Sequence, residues 1–149
     1  DLALALAMAK AVLVSEAHPD DLVVGADQIL DLQGERLTKP ADMEAARRQL
    51  LSLSGRTHNL HAGVACARGG AVVWEHVETA ALTMRKLDPA FVGRHLARSG
   101  PAILDSVGAY QLEGPGIQLF ERVEGDYFAI LGLPLLPLLA FLRSEGMLE

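Results

Sequence analysis

Cysteine is almost absent from this chain of 149 residues. Cys66 stands alone, which excludes an intrachain disulfide and a zinc site built from several thiolates, and suits a reducing compartment, the cytosol by default. Basic charge is also in deficit. Thirteen Lys and Arg against nineteen Asp and Glu leave a formal net charge of -6, so the global field repels nucleic acid and anionic membranes, and neither is expected as a partner. An anionic ligand would need local cations. No apolar run is suited to a bilayer: residues 2–14 are too short and carry Lys10, and residues 129–142 carry Pro134 and Pro137. No cleavable signal, internal repeat or low-complexity segment is visible. His61, His76 and His95 are scattered without metal-ligand spacing and read as structural or exposed.

What is present is a composition that is 50% hydrophobic, enough for one domain over residues 1–149, a size that buries roughly 70% of the unfolded surface. The opening "DLALALAMAKAVLV" starts without methionine and is apolar around nearly its whole helical circumference. A helix of that kind is buried in a larger body, so the expectation is that a first strand and its loop precede this segment in a longer protein. "LVVGADQILDL" reads as a strand and "QGE" as a turn. Pro40 precedes a helix over about 41–53, with Met43, Ala46, Leu50 and Leu53 at helical spacing and Gly55 as a left-handed cap. "THNLHAGVACA" and "AVVWEHVETAALTM" flank a glycine turn and predict an antiparallel hairpin. Asp88 can cap a helix to about Arg98, with Phe91, His95 and Leu96 partly facing in, ended by Gly100-Pro101. Farther on, Ile117, Leu119 and Glu121 share one face of a predicted strand covered on both sides, and Pro134 suits the first turn of a closing helix. Strands and helices interleave, so the class is α/β or α+β with a mixed sheet.

One strand holds a contradiction. Asp27 and Gln28 lie near the centre of an otherwise apolar run, and a buried carboxylate is costly unless it meets a metal, a cation or hydrogen-bond donors. Asp27 is therefore either chemistry or a strand end. Lys10 similarly interrupts an apolar helix, either as an ammonium facing a cleft or as a lysine snorkelling from a core helix. Lys39, extended before Pro40, reads as an ordinary loop lysine. Arg56 and His58 face either a ligand or, in the case of His58, hydrogen-bonding neighbours in the strand. Glu121, Glu124 and Asp126 cluster near a predicted turn, where charge is usually solvated.

"GADQ" at 25–28, "KP" at 39–40, "LSGRTH" at 53–58, "GAY" at 108–110, "EG" at 113–114, "EGDY" at 124–127 and "GLPL" at 132–135 occur in the order and spacing of a known family. Each is weak alone; together, over nearly the whole chain, they resemble the Maf family of nucleoside triphosphate pyrophosphatases. The resemblance implies a cytoplasmic hydrolase that cuts a nucleoside triphosphate to monophosphate and pyrophosphate with a divalent metal, Mg2+ or Mn2+, and in some members a link to septum formation and division arrest. It also implies an α/β fold related to the inosine triphosphatases, with a mixed, twisted sheet flanked by helices and a central cleft. Asp27 matches the family's catalytic aspartate, the proton acceptor for the attacking water and a candidate metal ligand. Lys10 and Lys39 match lysines that face the phosphates. Phosphoryl transfer asks for those parts: a positioned water, a metal and cations on the phosphate oxygens. Homodimers occur in the family.

Gln28 and Glu113 match the family's specificity positions. Where members acting on thymidine or uridine triphosphate read GADT and IQG, this chain reads GADQ and LEG, and the pair resembles the branch acting on 7-methyl-GTP. A carboxylate accepts from the guanine N1 and amino donors and favours a cationic methylated ring. The chain departs from the pattern elsewhere. The Ser-x-Ser-Pro-Arg-Arg loop and an Asp-Glu pair ahead of the Lys10 helix are not in this segment, and Ser106 stands where many members carry lysine. A catalytically impaired relative that binds nucleotide or a division partner is the alternative to the enzyme, and accidental tags on an unrelated α/β scaffold are a third reading.

Overall fold

In the computed structural model, which describes residues 1–149, the first helix α1 (Leu2–Ala17) begins where the Asp1 carboxylate accepts a hydrogen bond from the Leu4 amide at 3.2 Å. The strands follow as β1 (Val23–Leu32), β2 (Glu35–Leu37), β3 (Thr57–Arg68), β4 (Ala71–Met84) and β5 (Phe120–Glu124). Helix α2 (Met43–Leu53) lies between β2 and β3, α3 (Pro89–Ser99) follows β4, and α4 (Tyr127–Leu131) and α5 (Leu135–Ser144) close the chain. The five strands form one sheet in the order β2-β1-β3-β4-β5 among helices, the α/β class that the resemblance implied. The β1–β2 and β4–β5 ladders are antiparallel. The two-residue Gly69-Gly70 connection, with both glycines at positive φ, folds β4 back against β3 as the sequence predicted. No helix is long and apolar enough to cross a membrane.

The chain divides into two compact units, one of Asp1–Gln28, His61–Thr79 and Asp126–Glu149, the other of Ile29–Leu60 and Ala80–Gly125. In the first, α1 buries a stripe of small residues, Ala3, Ala7, Ala11 and Ser15. Glycine meets that stripe. A Cβ on Gly25 would lie 2.4 Å from the Ala7 carbonyl oxygen, and one on Gly63 would lie 2.7 Å from that of Ala3, so β1 and β3 approach the helix backbone more closely than any side chain permits. Leu2, Leu13 and Val14 are 50%, 70% and 46% exposed in this chain. The small residues make the close backbone contact, and Met8 and Val12 pack against the same cluster. Ser15 is fully buried and satisfied, donating to Val12 O and accepting from the Gly70 amide. A second cluster packs Val64, Cys66 and Leu138 with Trp74 and Phe141, whose rings stack at 5.1 Å. Burial raises the Cys66 thiol pKa.

In the second unit, Asp42 caps α2 by accepting from the Ala45 amide at 2.8 Å, which moves the helix start from the expected 41 to Met43. Ala46, Leu50 and Leu53 are buried as their spacing predicted. Helix α3 runs as expected, although Asp88 makes no side-chain cap bond, and its inward face is Val92, His95 and Leu96. The strand predicted through 117–121 is corrected. Pro115–Leu119 is a 3-10 helix, started by the proline, and β5 begins only at Phe120. At the sheet edge β5 is largely exposed, not covered on both sides. Pro134, expected in the first turn of α5, occupies the position just before it.

Candidate active site

Asp27 lies inside β1, not at its end. Gly25 presses against Ala7 and Ala11 of α1, which brings the intervening helix position, Lys10, over the strand. The Lys10 Nζ is 3.5 Å from Asp27 Oδ1 and donates to the Ala26 carbonyl at 3.4 Å. The same Oδ1 accepts from the Gln28 amide at 2.9 Å. A carboxylate is tolerated here because it is 22% exposed and meets both a cation and a backbone donor, two of the conditions under which such a group persists in a strand. The Lys10 side chain is 58% exposed, and an ion pair in that setting contributes under about 1 kcal/mol. Its value is positional. The ion pair and the hydrogen bond both fall on Oδ1, and neither engages Oδ2.

Gln28 follows on the same strand with both amide hydrogens engaged. Its Nε2 donates to the carbonyls of Ala129 at 3.1 Å and Ile130 at 2.8 Å, tying β1 to the one-turn helix α4. That helix is capped by Asp126, which accepts from the Ala129 amide at 2.9 Å, and ends at Gly132 in the left-handed conformation. The acidic residues expected to be solvated thus separate: Asp126 caps a helix, and Glu124 pairs with Arg122 at 2.9 Å. Neither the Gln28 strut nor this cap was recognised from the sequence. For Asp126 a signal existed, an aspartate just ahead of an apolar run; for Gln28 none did, because its partners are about a hundred positions away.

Two further residues lie in the second unit. Lys39 is exposed on the extended segment between β2 and α2, ahead of the buried Pro40. Glu113 is exposed in a separate turn, at residues 112–114. The Gly114 amide donates to Gln111 O at 3.2 Å, and Gly116 sits so close that a Cβ would fall 2.4 Å from the same oxygen. Of the five candidates, the structure brings Lys10, Asp27 and Gln28 together and sets Lys39 and Glu113 on separate loops.

Arg56 donates to Gln33 Oε1 at 2.6 Å and to Ser52 O at 3.1 Å. His58 is 1% exposed and bonds through Nε2 to the Tyr110 hydroxyl at 2.8 Å, which decides for hydrogen-bonding neighbours over a ligand. Burial lowers the His58 pKa to about 4 and raises that of Tyr110, so the pair is neutral.

The donor set decides what kind of metal fits. No group of three or more His, Cys, Asp or Glu side chains converges to hold an ion. Asp27 is a single hard oxygen donor, and magnesium-type ions are commonly held by one or two carboxylates together with substrate phosphates and water. The residues present therefore fit a cation shared with a polyphosphate, and do not form a cage that would hold one alone.

The family described as Maf-like protein matches residues 1–145 of the chain. The chain is 61% identical over its full 149 residues to a 7-methyl-GTP pyrophosphatase of Mesorhizobium japonicum, covering 75% of that protein. A protein of the same name from Brucella abortus is 57% identical, again over the full chain and 75% of the relative. A nucleoside triphosphate pyrophosphatase of Granulibacter bethesdensis is 53% identical over 145 residues, 97% of this chain and 74% of its own length.

Proposed function

The chain belongs to the Maf family, and from that premise we propose that it is a nucleoside triphosphate pyrophosphatase with a preference for 7-methyl-GTP. The observation that carries the reading is the mid-strand Asp27 carboxylate, held by Lys10 and the Gln28 amide with one oxygen to spare. Water attacks the α-phosphorus and its proton passes to Asp27; as the new P–O bond forms, the bond from that phosphorus to the α,β-bridging oxygen breaks, and pyrophosphate leaves with that oxygen while the monophosphate remains. Lys10 orients the carboxylate and lends charge to the phosphate oxygens, and Lys39 lends a second ammonium. A divalent cation, Mg2+ or Mn2+, would be held by Asp27 together with the phosphates and would offset their charge.

Base selection rests on Glu113 and Gln28. The Glu113 carboxylate would accept from the guanine Watson–Crick edge and favour the cationic ring of a 7-methylated purine. Gln28 has its two N–H donors committed to α4, so it would offer only its carbonyl oxygen to a base and would otherwise support α4. The names of the Mesorhizobium and Brucella relatives favour the methylated substrate, and that of the Granulibacter relative favours the broader class. A cytoplasmic setting, homodimerisation and a link to division arrest belong to the same reading through the family.

The test is pyrophosphate release from a panel of nucleoside triphosphates, 7-methyl-GTP included, for the wild type and Asp27→Asn. Loss of the base should lower kcat by a factor on the order of a hundred or more. Equal turnover by both proteins would overturn the role of Asp27. Nucleotide binding without turnover in the wild type would favour the impaired relative.

A further inference from the structure

Far along the chain from Asp27, helix α3 presents Phe91, Arg94, His95 and Arg98 at the i, i+3, i+4, i+7 spacing that lines one helical face. The face lies beside the inward one: Arg94 and Arg98 are exposed, His95 is buried, and three of the four are basic residue types. This face lines two cavities that share His95, Arg98 and Pro115, the larger of about 120 Å³ and also lined by Gln111 and Gly116. Arg85, just past the end of β4, lines neither cavity but touches two residues of the smaller one, its guanidinium carbon 4.5 Å over the Phe91 ring and its Nε donating to Gln118 O at 2.7 Å. Those contacts orient the Arg85 fork and leave its terminal nitrogens available. His95 is 6% exposed and lies 3.4 Å from Ser99 Oγ; burial first, then the charges of Arg98 and Arg85, lower its pKa, so both guanidiniums are near enough for it to feel.

No carboxylate lines either cavity. In a chain whose net charge is -6, Arg98 lining both cavities and Arg94 lining the smaller run against the average, and the two, four apart on one helix, repel each other unless an anion lies between them. The planar fork of arginine matches phosphate oxygens through paired hydrogen bonds, and the Gln111 amide and Ser99 hydroxyl can add neutral donors. The larger cavity is of a size for a single phosphate group.

From this geometry we infer that the α3 face is a binding site for a phosphate-bearing anion, distinct from the Asp27 centre and formed by Arg85, Arg94, Arg98 and Gln111. The same chemistry is offered by inorganic phosphate, by pyrophosphate and by a nucleoside monophosphate. All three are therefore arms of the test, with sodium chloride at matched ionic strength as the blank.

Amide and histidine ring resonances are followed by NMR as each anion is added to the full chain. One or more phosphate anions should shift His95, Ser99 and Gln111 along saturable curves, with midpoints no weaker than the millimolar range, and the tightest arm identifies the source. Arg94→Ala combined with Arg98→Ala alters exposed side chains and should weaken that midpoint at least about tenfold. Lys10→Ala should leave the curves unchanged, which separates this site from phosphate captured near Asp27. A linear drift shared with chloride, or saturable shifts that survive in the double variant, would overturn the inference.

Discussion

His58 and Tyr110 form a buried polar pair in the second unit, and their energetics set a pH limit on the fold. The His58 pKa falls from 6.5 to about 4 because burial penalises the imidazolium. In the unfolded chain the ring charges near 6.5, so the unfolded state binds the extra proton first as the medium is acidified. Stability from this residue is therefore complete above pH 6.5 and is lost as pH falls toward 4, by an amount approaching about 3 kcal/mol. Urea unfolding between pH 7 and pH 4 should show that loss, and His58→Gln, which can keep a bond to the Tyr110 hydroxyl, should flatten it. An unchanged slope in the variant would mean that other groups carry the acid sensitivity. Residue chemistry of this sort was partly legible beforehand. Asp27 stood out because a carboxylate amid Val, Ile and Leu conflicts with its surroundings, whereas the fate of His58 depended on Tyr110, a partner 52 positions away that no local pattern reveals.

Among the elements, α1 matters most to the candidate site. It carries Lys10, and its height above β1 is set by Gly25, where an added Cβ would meet the Ala7 carbonyl oxygen at 2.4 Å. Gly25→Ala should force the helix outward, destabilise the fold by about 1–3 kcal/mol and open the Lys10 to Asp27 separation. Gly63→Ala meets the start of the same helix at Ala3 and serves as the comparison. If Lys10 placement matters, Gly25→Ala should lose more kcat than Gly63→Ala for an equal loss in thermal midpoint. Gln28→Leu tests the other strut: with the Ala129 and Ile130 carbonyls released, the cost is about 1–3 kcal/mol, and limited proteolysis should quicken around residues 126–132. An unaltered cleavage rate would remove Gln28 from the support of α4. The β3–β4 hairpin was readable from the glycine turn between its two strand-like runs. The Pro115–Leu119 turn was not, since Ile117 and Leu119 alternate as in a strand while Pro115 begins a 3-10 helix.

For the molecule taken whole, charge and ligand supply govern behaviour. The chain gathers no set of three metal-binding side chains and carries a net charge of -6, so a divalent cation should bind mainly together with a polyphosphate. Magnesium alone should leave the melting temperature nearly unchanged, while magnesium with a slowly hydrolysed nucleotide should raise it in proportion to ligand occupancy. A chelator should abolish pyrophosphate release, and added Mg2+ or Mn2+ should restore it. A large shift with magnesium alone would point to a dedicated protein site that the side chains do not supply.

Composition and local order were sufficient for interleaved strands and helices, the hairpin, α2 and α3, and the run of motifs, because periodicity, caps and turn residues act over a few positions. They also exposed Asp27 and Lys10 as residues out of keeping with their neighbours. Packing alone joined those two, engaged Gln28 with α4 and set Arg94 and Arg98 of α3 along one cavity beside Phe91. Each of these depends on how closely backbones approach across long stretches of chain, at Gly25 above all, and distance between segments is not written in the pattern of any one of them.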